Sequence, residues 1–313
     1  MEGILTTAFL VSLLAASVRM ATPILLAALG DIFTQRSGIL NLGLEGMMLL
    51  GAFGGFWGAH ATGSLWAGVG VAVLFGALAG FLFGVVVIHL RANQIVAGLA
   101  FTIFGAGLST FLFRAVFGIR KFPPRVDTIP ALKIAGLSDL PFVGPVLFQH
   151  NLLVYVMLVL VVVAAIGLDR THFGLKVRAV GENPQAADAK GVSVPRIRYI
   201  CTTLGGAGAG LGGAFLSLAF LGTYLDKMTA GRGFIAIAVV LFSKWRPWGA
   251  LGAALLFGGA DALQLRLQGM QTAVPYQVFQ VLPYVLTIAA MVGVSRRAEF
   301  PAAFTLPYRR EEG

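Results

Sequence analysis

An amide and a carboxylate inside an apolar segment are the residues of this sequence best suited to do chemistry. In GILNLGLEGMMLLGAF, Asn41 and Glu45 stand four residues apart, which puts them on one face of a helix. A charge buried in hydrocarbon is costly unless it faces a partner or water, and the flanking glycines would let the helix break beside a cavity. We therefore predict that Asn41 and Glu45 line a substrate pathway. The alternative is a structural ion pair between Glu45 and Arg19 or Arg36.

The other residue types argue against an enzyme. The four His have no metal-ligand spacing, and the sequence contains no HExxH, GxSxG or GxxxxGK[ST] motif. The glycines of 208–213 fit GxGxxG, but no strand is expected before them and no acidic residue follows at the distance of a ribose contact. The single cysteine, Cys201, is expected to be a small residue packed in a helix. We predict no catalytic residue, no metal site and no cofactor bound by this chain, and no binding of nucleic acid.

The composition places these residues in a membrane protein. Of the 313 residues, 58% are hydrophobic and 12% are charged, and the mean hydropathy is +0.86, far from the values of a soluble domain. Several apolar runs reach the roughly 20 residues that a helix needs to cross about 30 Å of hydrocarbon. We predict an all-α, polytopic transmembrane helical bundle of about nine spans, near 7–30, 39–56, 65–88, 93–117, 150–168, 197–221, 231–243, 248–265 and 275–294.

Two patterns indicate how the bundle is built. The seventh segment, 231–243, is too short for an ordinary crossing, so it is expected to be a half-helix or a broken element buried by its neighbours. Glycines recur at every fourth position, which lets helix backbones approach closely. These repeats are Gly51/Gly55, Gly54/Gly58, Gly76/Gly80/Gly84, Gly206/Gly210 and Gly208/Gly212. The remaining intramembrane charges are expected to be snorkelling or paired structural residues; they are Arg19, Arg114, Asp261 and Arg266. Asn93 is expected to be a helix cap.

The basic residues determine the predicted orientation. Six Lys or Arg fall in the polar segment 169–198, and four fall in the tail, at Arg296, Arg297, Arg309 and Arg310. By the positive-inside rule, the N-terminus is outside and the C-terminus is cytoplasmic. The net charge of +10 is then mainly a topology signal, with anionic lipid headgroups as a secondary attraction. Residues 1–313 are predicted to form one transmembrane domain, with the proline-rich connection 118–149 as an external loop.

The polar segment 169–198 is interpreted as a docking surface for a cytoplasmic partner. Asn183 is a good helix N-cap, Pro184 suits the first helical position, and Gly191 can adopt the left-handed conformation that ends a helix. This pattern predicts a two-turn helix about 10 Å long. Because so short a helix is unstable alone in water, we expect it to persist by packing against something.

Three segments of the sequence resemble one known family. They are RMATPILLAALGDIFTQRSGILNLGLEGMMLLGAF, FGLKVRAVGENPQAADAKGVSVPRIR and GRGFIAIAVVLFSKWRPWGALGAALLFGG. Together they are similar to permease subunits of bacterial ABC importers for simple sugars and nucleosides, and the resemblance covers nearly the whole chain. The form NLGLEGMM is closer to nucleoside-type permeases, associated with lipoprotein binding proteins, than to ribose permeases, which resemble GIDLSVG at this place. The segment LFSKWRPWGA departs from the family, whose members tend to be richer in glycine there.

The resemblance implies a multi-pass transporter subunit of the bacterial cytoplasmic (inner) membrane, and not an enzyme. Its expected partners are a cytoplasmic ABC ATPase that binds ATP and Mg²⁺, an extracytoplasmic substrate-binding protein, and a second permease subunit that is a related chain or another copy. In such importers a cytoplasmic coupling helix sits in a cleft of the ATPase. The residues that the resemblance assigns to this contact are Gly181, Glu182, Asn183, Ala186, Ala187 and Gly191.

Nucleosides are the expected substrates, followed by simple sugars, and a branched-chain amino acid ABC permease is an alternative. Two other classes of protein would show different patterns. An ion-coupled secondary transporter predicts inverted repeats with carboxylates at corresponding positions, and Glu45 and Asp261 lack convincing matching halves. An intramembrane enzyme would need Asp, His or Ser clustered near one membrane face, whereas these residues are scattered.

Overall fold

The computed structural model describes residues 7–119, 123–133, 136–269, 281, 285 and 300–309. All but two positions of the expected ninth span, 275–294, lie outside the described residues. The helices of the described part are α1 Thr7–Arg36, α2 Leu44–Thr62, α3 Leu65–Gly84, α4 Gln94–Phe117, α5 Val143–Leu147, α6 Leu152–Asp169, α7 His172–Glu182, α8 Pro184–Ala189, α9 Val194–Ala214, α10 Arg232–Phe242 and α11 Pro247–Gly269. The strands are β1 Ala131–Lys133 and β2 Gln149–Asn151.

The helices confirm the predicted helical membrane architecture, whereas the number of nine spans stays a prediction. Among the described residues, six helices are long and apolar enough to cross a membrane: α1, α3, α4, α6, α9 and α11. Two of them continue as π-helical turns, α3 over Val85–His89 and α9 over Phe215–Leu221. Helix α10 has 11 residues, which confirms that the seventh segment is a short element.

Helix α1 runs through the centre of the bundle and defines its two ends. Its 30 residues span about 45 Å, and from Ser17 to Gln35 most of its side chains are buried against α6, α9, α10 and α11. Near one end, Ser12 accepts a hydrogen bond from Arg266 of α11 at 2.6 Å. At the other end, Arg36 lies 3.5 Å from Glu182 of α7. We call the Arg36 end the polar-segment face and the other end the opposite face.

Glycines bring α3 and α9 into backbone contact. A Cβ atom at Gly76 would collide with the carbonyl oxygen of Gly206, and one at Gly80 would collide with that of Thr202. On the other side of α9, a Cβ at Gly208 would lie 2.7 Å from the carbonyl oxygen of Leu26 in α1. The close helix packing predicted from the four-residue glycine spacing is therefore confirmed, because α9 packs backbone to backbone between α1 and α3. Cys201, fully buried in α9, is the packed small residue that was expected.

Most of the expected structural charges have local partners. Arg114 binds Asp226 at 3.0 Å, Asp261 lies 3.6 Å from Arg232, and Arg266 also stands over the ring of Phe9. The side chain of Asn93 accepts hydrogen bonds from the first backbone N–H groups of α4, which confirms the helix cap.

The connection 118–149 folds as a small cover on the opposite face. Strands β1 and β2 pair antiparallel, with Ala131 opposite Asn151, and the short helix α5 lies between them in the chain. The chain before β1 binds the end of α9, because the N–H of Val126 donates to the carbonyl of Gly222 at 2.9 Å. Burial lowers the pKa of His150 in β2, against the opposing effect of its 2.7 Å contact with the Val146 carbonyl.

The α3–α9 contact can be tested with two alanines on one helix. Alanine is the better helix former, so Gly70→Ala, which meets open space, is expected to leave stability unchanged or raise it slightly. Gly76→Ala places the same methyl group against backbone and is expected to cost about 1–3 kcal/mol. Thermal unfolding of both variants in detergent measures the difference. Equal melting temperatures would contradict the close approach.

Candidate functional site

Glu45 anchors the beginning of the half-helix α10. Its side chain is 7% exposed, and its carboxylate accepts three hydrogen bonds from the loop 229–233. Oε1 accepts from the hydroxyl of Thr229 at 2.5 Å and from the N–H of Gly231 at 2.8 Å. Oε2 accepts from the N–H of Gly233 at 2.6 Å. The carboxylate therefore supplies acceptors that the first turn of α10 cannot find within its own helix.

This anchor solves an electrostatic problem inside the membrane. Eleven residues of α-helix span about 16 Å, roughly half of the 30 Å hydrocarbon layer, so α10 has one end at depth. A helix N-terminus carries about half a positive charge and unpaired N–H groups, and hydrocarbon offers neither water nor anions to them. The charge of Glu45 and the dipole of α10 thus stabilise each other, and each offsets the cost of burying its partner.

The residues Gly231, Arg232 and Gly233 at the start of α10 are required by this geometry. Gly231 has φ +84°, in the left-handed region, and a Cβ at Gly233 would lie 2.5 Å from the Cα of Glu45. Between them, Arg232 turns the other way, with its guanidinium 3.6 Å from Asp261 of α11 and 3.3 Å from the carbonyl of Thr229. The loop is therefore held between α2 on one side and α11 on the other.

Neither arginine considered as a partner of Glu45 pairs with it. Arg36 is paired with Glu182, and among the described residues the hydrogen bonds of the Glu45 carboxylate all come from the loop 229–233. Asn41 is fully buried in the turn before α2, where its Oδ1 accepts from the N–H of Gly43 at 3.0 Å. The amide of Asn41 therefore shapes the entry to the helix that carries Glu45. That both line a substrate pathway stays a prediction.

The chain from 222 to 229 connects α9 to this anchor through buried aromatic contacts. Tyr224 is 1% exposed, packs edge-on against Phe53 of α2, and donates its hydroxyl to Ser109 of α4 at 2.9 Å. Phe113 of α4 packs on the same ring. Sequence reasoning did not find this cluster, because 24 phenylalanines in an apolar chain give no spacing signal that separates core from site.

In the polar segment, the short helix forms as predicted. Asn183 caps α8, with its Oδ1 accepting from the N–H of Ala186 at 2.9 Å, and Pro184 is the first helical residue. Gly191 has φ +82° and follows the helix end. Helix α7 has 11 residues and was not predicted. Its N-cap is Thr171, whose hydroxyl oxygen accepts a hydrogen bond from the N–H of Gly174, which is an ordinary capping arrangement.

The six residues assigned to the ATPase contact separate into two groups. Glu182, Asn183, Ala186 and Gly191 are exposed. Gly181 and Ala187 are buried within the chain, Ala187 with 5% exposure. A Cβ at Gly181 would strike the carbonyl oxygen of Arg36, so this glycine lets α7 touch the end of α1. In this structure, then, Gly181 and Ala187 face their own chain and only the other four lie on the surface.

The C-terminal residues 300–309 brace the polar segment. The N–H of Ala303 donates to the carbonyl of Gly181 at 2.9 Å, and the N–H of Thr305 donates to that of Gly38 at 3.0 Å. Arg198, 3% exposed in α9, donates to the carbonyls of Ser37 and Leu306, both at 3.2 Å. The tail therefore ties α7 to the turn between α1 and α2.

A second set of buried polar contacts links the end of α10 to α1. The indole N–H of Trp245 donates to Gln35 at 3.0 Å, and the amide of Gln35 donates to Asp31 at 2.6 Å. Both Lys244 and Trp245 have positive φ, +53° and +57°. This turn lies in the segment LFSKWRPWGA, where the resembling family is richer in glycine.

Comparison with known proteins identifies the class. The profile of the family described as "Branched-chain amino acid transport system / permease component" matches residues 13–291, and the chain belongs to this family. The fold agrees: a solved structure titled as an inward-facing conformation of a provisionally assigned metal-chelate type ABC transporter has a TM-score of 0.52 at 14% identity, covering 90% of this chain and 85% of that one.

Individual relatives are named as permease proteins of ABC transporters. The provisionally assigned glucose ABC transporter permease protein TsgC13 of Haloferax volcanii is 38% identical over 97% of this chain and 99% of its own length. The guanosine ABC transporter permease protein NupQ of Bacillus subtilis is 35% identical over 94% and 95%, and the nucleoside ABC transporter permease protein NupC of Lactococcus lactis is 34% identical over 92% and 93%. The chain is therefore an ABC transporter permease subunit, a multi-pass protein of the inner membrane and not an enzyme.

Replacing the anchoring charge tests its link to α10. In Glu45→Gln, an N–H₂ group faces backbone N–H donors, so at least one buried donor is left unpaired, at an expected cost of about 1–3 kcal/mol. Amide hydrogen exchange of the peptide covering 229–235 should accelerate, and transport should fall. The matched control for hydrogen exchange is Asp226→Asn, because Asp226 forms an exposed ion pair expected to contribute less than about 1 kcal/mol. Unchanged exchange in Glu45→Gln would contradict the anchor, and full transport would remove the pathway role.

Proposed function

We propose that this permease forms the translocation pathway of an ATP-driven importer for nucleosides. The observation that carries the substrate class is the similarity over nearly the full length to permease proteins named for guanosine and for nucleosides. Simple sugars are the second candidate, favoured by the relative named for glucose. A branched-chain amino acid permease and an ion-coupled secondary transporter are not favoured, because these named relatives belong to ABC systems for nucleosides or glucose.

The proposed pathway follows the break in the bundle. Where α10 begins at depth, the loop 222–231 replaces helix with irregular backbone, which membranes tolerate only when it is buried in protein or lines a cavity. Glu45 and Asn41 would stand beside this break, as the sequence predicts. In our proposal Glu45 acts mainly by fixing the loop, since its carboxylate oxygens are already hydrogen-bonded to Thr229, Gly231 and Gly233.

The proposed partners follow from the class of protein. A cytoplasmic ATPase would bind ATP and Mg²⁺ and dock on the exposed side of α8, an extracytoplasmic binding protein would deliver substrate to the opposite face, and a second permease, related or identical, would complete the pathway. The N-terminus would be outside and the C-terminus cytoplasmic, with nine spans. This orientation is supported by the ends of α1, since Thr7 belongs to the opposite face while the tail 300–309 binds the polar segment.

Coupling would pass through the contacts around α7 and α8. Closure of the ATPase dimer would move α8 and, with it, α7, which touches the end of α1 at Arg36. Helix α1 is joined to the end of α10 by Gln35 and Trp245, and the start of α10 is joined to α2 by Glu45. These contacts form a continuous path of packed and hydrogen-bonded groups from the docking surface to the loop 229–233, so the bundle can change between outward-facing and inward-facing states.

A single charge on α8 tests the docking surface. Ala186 is exposed, whereas Ala187 is buried and its replacement by arginine would disturb the permease itself. Ala186→Arg is expected to weaken association with the ATPase tenfold or more, because a bulky charge in a close-packed contact is left unpaired. Co-purification of the ATPase and the transport rate measure the effect. Ala61→Arg, exposed on the opposite face, is the control, and normal coupling in Ala186→Arg would contradict docking at α8.

Reconstitution tests the function as a whole. The permease is purified with its co-purifying partners, placed in liposomes with its binding protein, and ATP hydrolysis is measured with a panel of nucleosides and sugars. Stimulation by nucleosides is the expected result. Stimulation by sugars alone would keep the permease but overturn the nucleoside assignment, and failure to recover any ATPase would contradict the importer.

A further inference from the structure

A basic cavity opens where several helices end at the polar-segment face. It has a volume of about 610 Å³. Its lining comes from the end of α1, the end of α6, α7 and the chain that enters α11: Arg36, Leu168, Asp169, Arg178, Trp245, Arg246, Pro247, Trp248 and Gly249. Because α1, α6 and α11 are long and apolar enough to cross a membrane and meet the cavity at their ends, we place the cavity at the level of the lipid headgroups.

The cavity carries more positive charge than the described residues around it neutralise. Three arginines line it against one carboxylate, that of Asp169. Arg36 is engaged with Glu182, but among the described residues neither Arg178 nor Arg246 forms an ion pair within 4.0 Å. The Nε of Arg178 is also buried without a hydrogen-bond partner in that part of the chain. Guanidinium groups in this situation are matched by an anion, and a phosphate fits their planar donors best.

One side of the cavity is continuous with the lipid-facing surface. Trp248 lines the cavity and is 59% exposed, and exposed tryptophans of membrane proteins are enriched at the level of the headgroups. Four and eight residues further along α11 come Gly252, beside open space, and Leu256, 51% exposed. These positions form one stripe of the helix, against which an acyl chain can lie. A free phosphate ion has no apolar part that could pack on this stripe, whereas a phospholipid has one.

We propose that the cavity binds the phosphate of an anionic phospholipid, with its headgroup on Arg178 and Arg246 and an acyl chain along the stripe from Trp248 to Leu256. Basic pockets between membrane helices on the cytoplasmic side are suited to such headgroups. The assignment to the cytoplasmic leaflet rests on the orientation proposed above, whereas binding itself is independent of what the permease transports. Since Arg178 belongs to α7, the bound lipid would fasten the polar segment to the membrane surface.

The test is lipid binding by the full-length permease in neutral detergent, after removal of co-purified lipid. Phosphatidylglycerol, phosphatidylcholine and inorganic phosphate are titrated separately, and bound molecules are counted by native mass spectrometry. Phosphatidylglycerol is expected to bind at least tenfold more tightly than phosphatidylcholine. The double variant Arg178→Gln/Arg246→Gln is expected to weaken the binding of phosphatidylglycerol about thirty-fold, because each of these arginines contacts the phosphate directly in our proposal. Arg170→Gln, an exposed arginine outside the cavity, should change it less than twofold.

Three outcomes would overturn the proposal. They are equal binding of the two lipids, an equal loss in Arg170→Gln, and binding of inorganic phosphate as tightly as phosphatidylglycerol, which would make a free anion the ligand. Chromatographic profile and melting temperature verify that the variants are folded. Should the double variant not fold, Arg246→Gln decides alone, because this side chain is exposed and its replacement leaves the packing intact.

Discussion

A helix that begins inside a membrane presents backbone N–H groups that neither water nor its own turns can satisfy. In this permease the carboxylate of Glu45 accepts those hydrogen bonds, and the loop before α10 and its contact with α2 depend on them. The loop 222–231 can enter the bundle because Glu45 holds its end. Position 233 has no room for a side chain, because α2 passes directly against it. A carboxylate in hydrocarbon is normally destabilising; here it supplies hydrogen-bond acceptors to the backbone N–H groups at the break.

The two faces of the protein are connected through this centre. At the polar-segment face, α7, the tail and the end of α1 form one braced unit, in which Gly181 and Arg36 are in contact. Helix α10 extends from that unit to Glu45, and the loop beyond it reaches the cover on the opposite face through Gly222. An ABC permease must relate events at a cytoplasmic ATPase to access from outside, and these contacts offer it a short route.

Local patterns predicted what local physics determines. The cap at Asn183, the cap at Asn93 and the shortness of the seventh segment all depend on neighbours within a few positions of the chain. The four-residue glycine spacing is also a local pattern; it predicted close helix packing but not which helices meet. The partners of Glu45 could not be read in the same way, because Thr229 lies 184 residues further along. The burial of Ala187 could not be predicted for a similar reason, since an alanine in a two-turn helix gives no sign of which side faces its own chain.

The turn after α10 differs in kind from the turn before it. At the start of α10 the chain has Gly231 and Gly233, which lack the Cβ atom that restricts backbone rotation in other residues. After it, Lys244 and Trp245 hold left-handed conformations that side chains disfavour, and Trp245 is also wedged between Gln35 and the rings of Phe300 and Phe304. We expect such a turn to be rigid. We therefore expect helices α10 and α11 to move together, so a change of access at depth would require the hydrogen bonds between Glu45 and the start of α10 to rearrange.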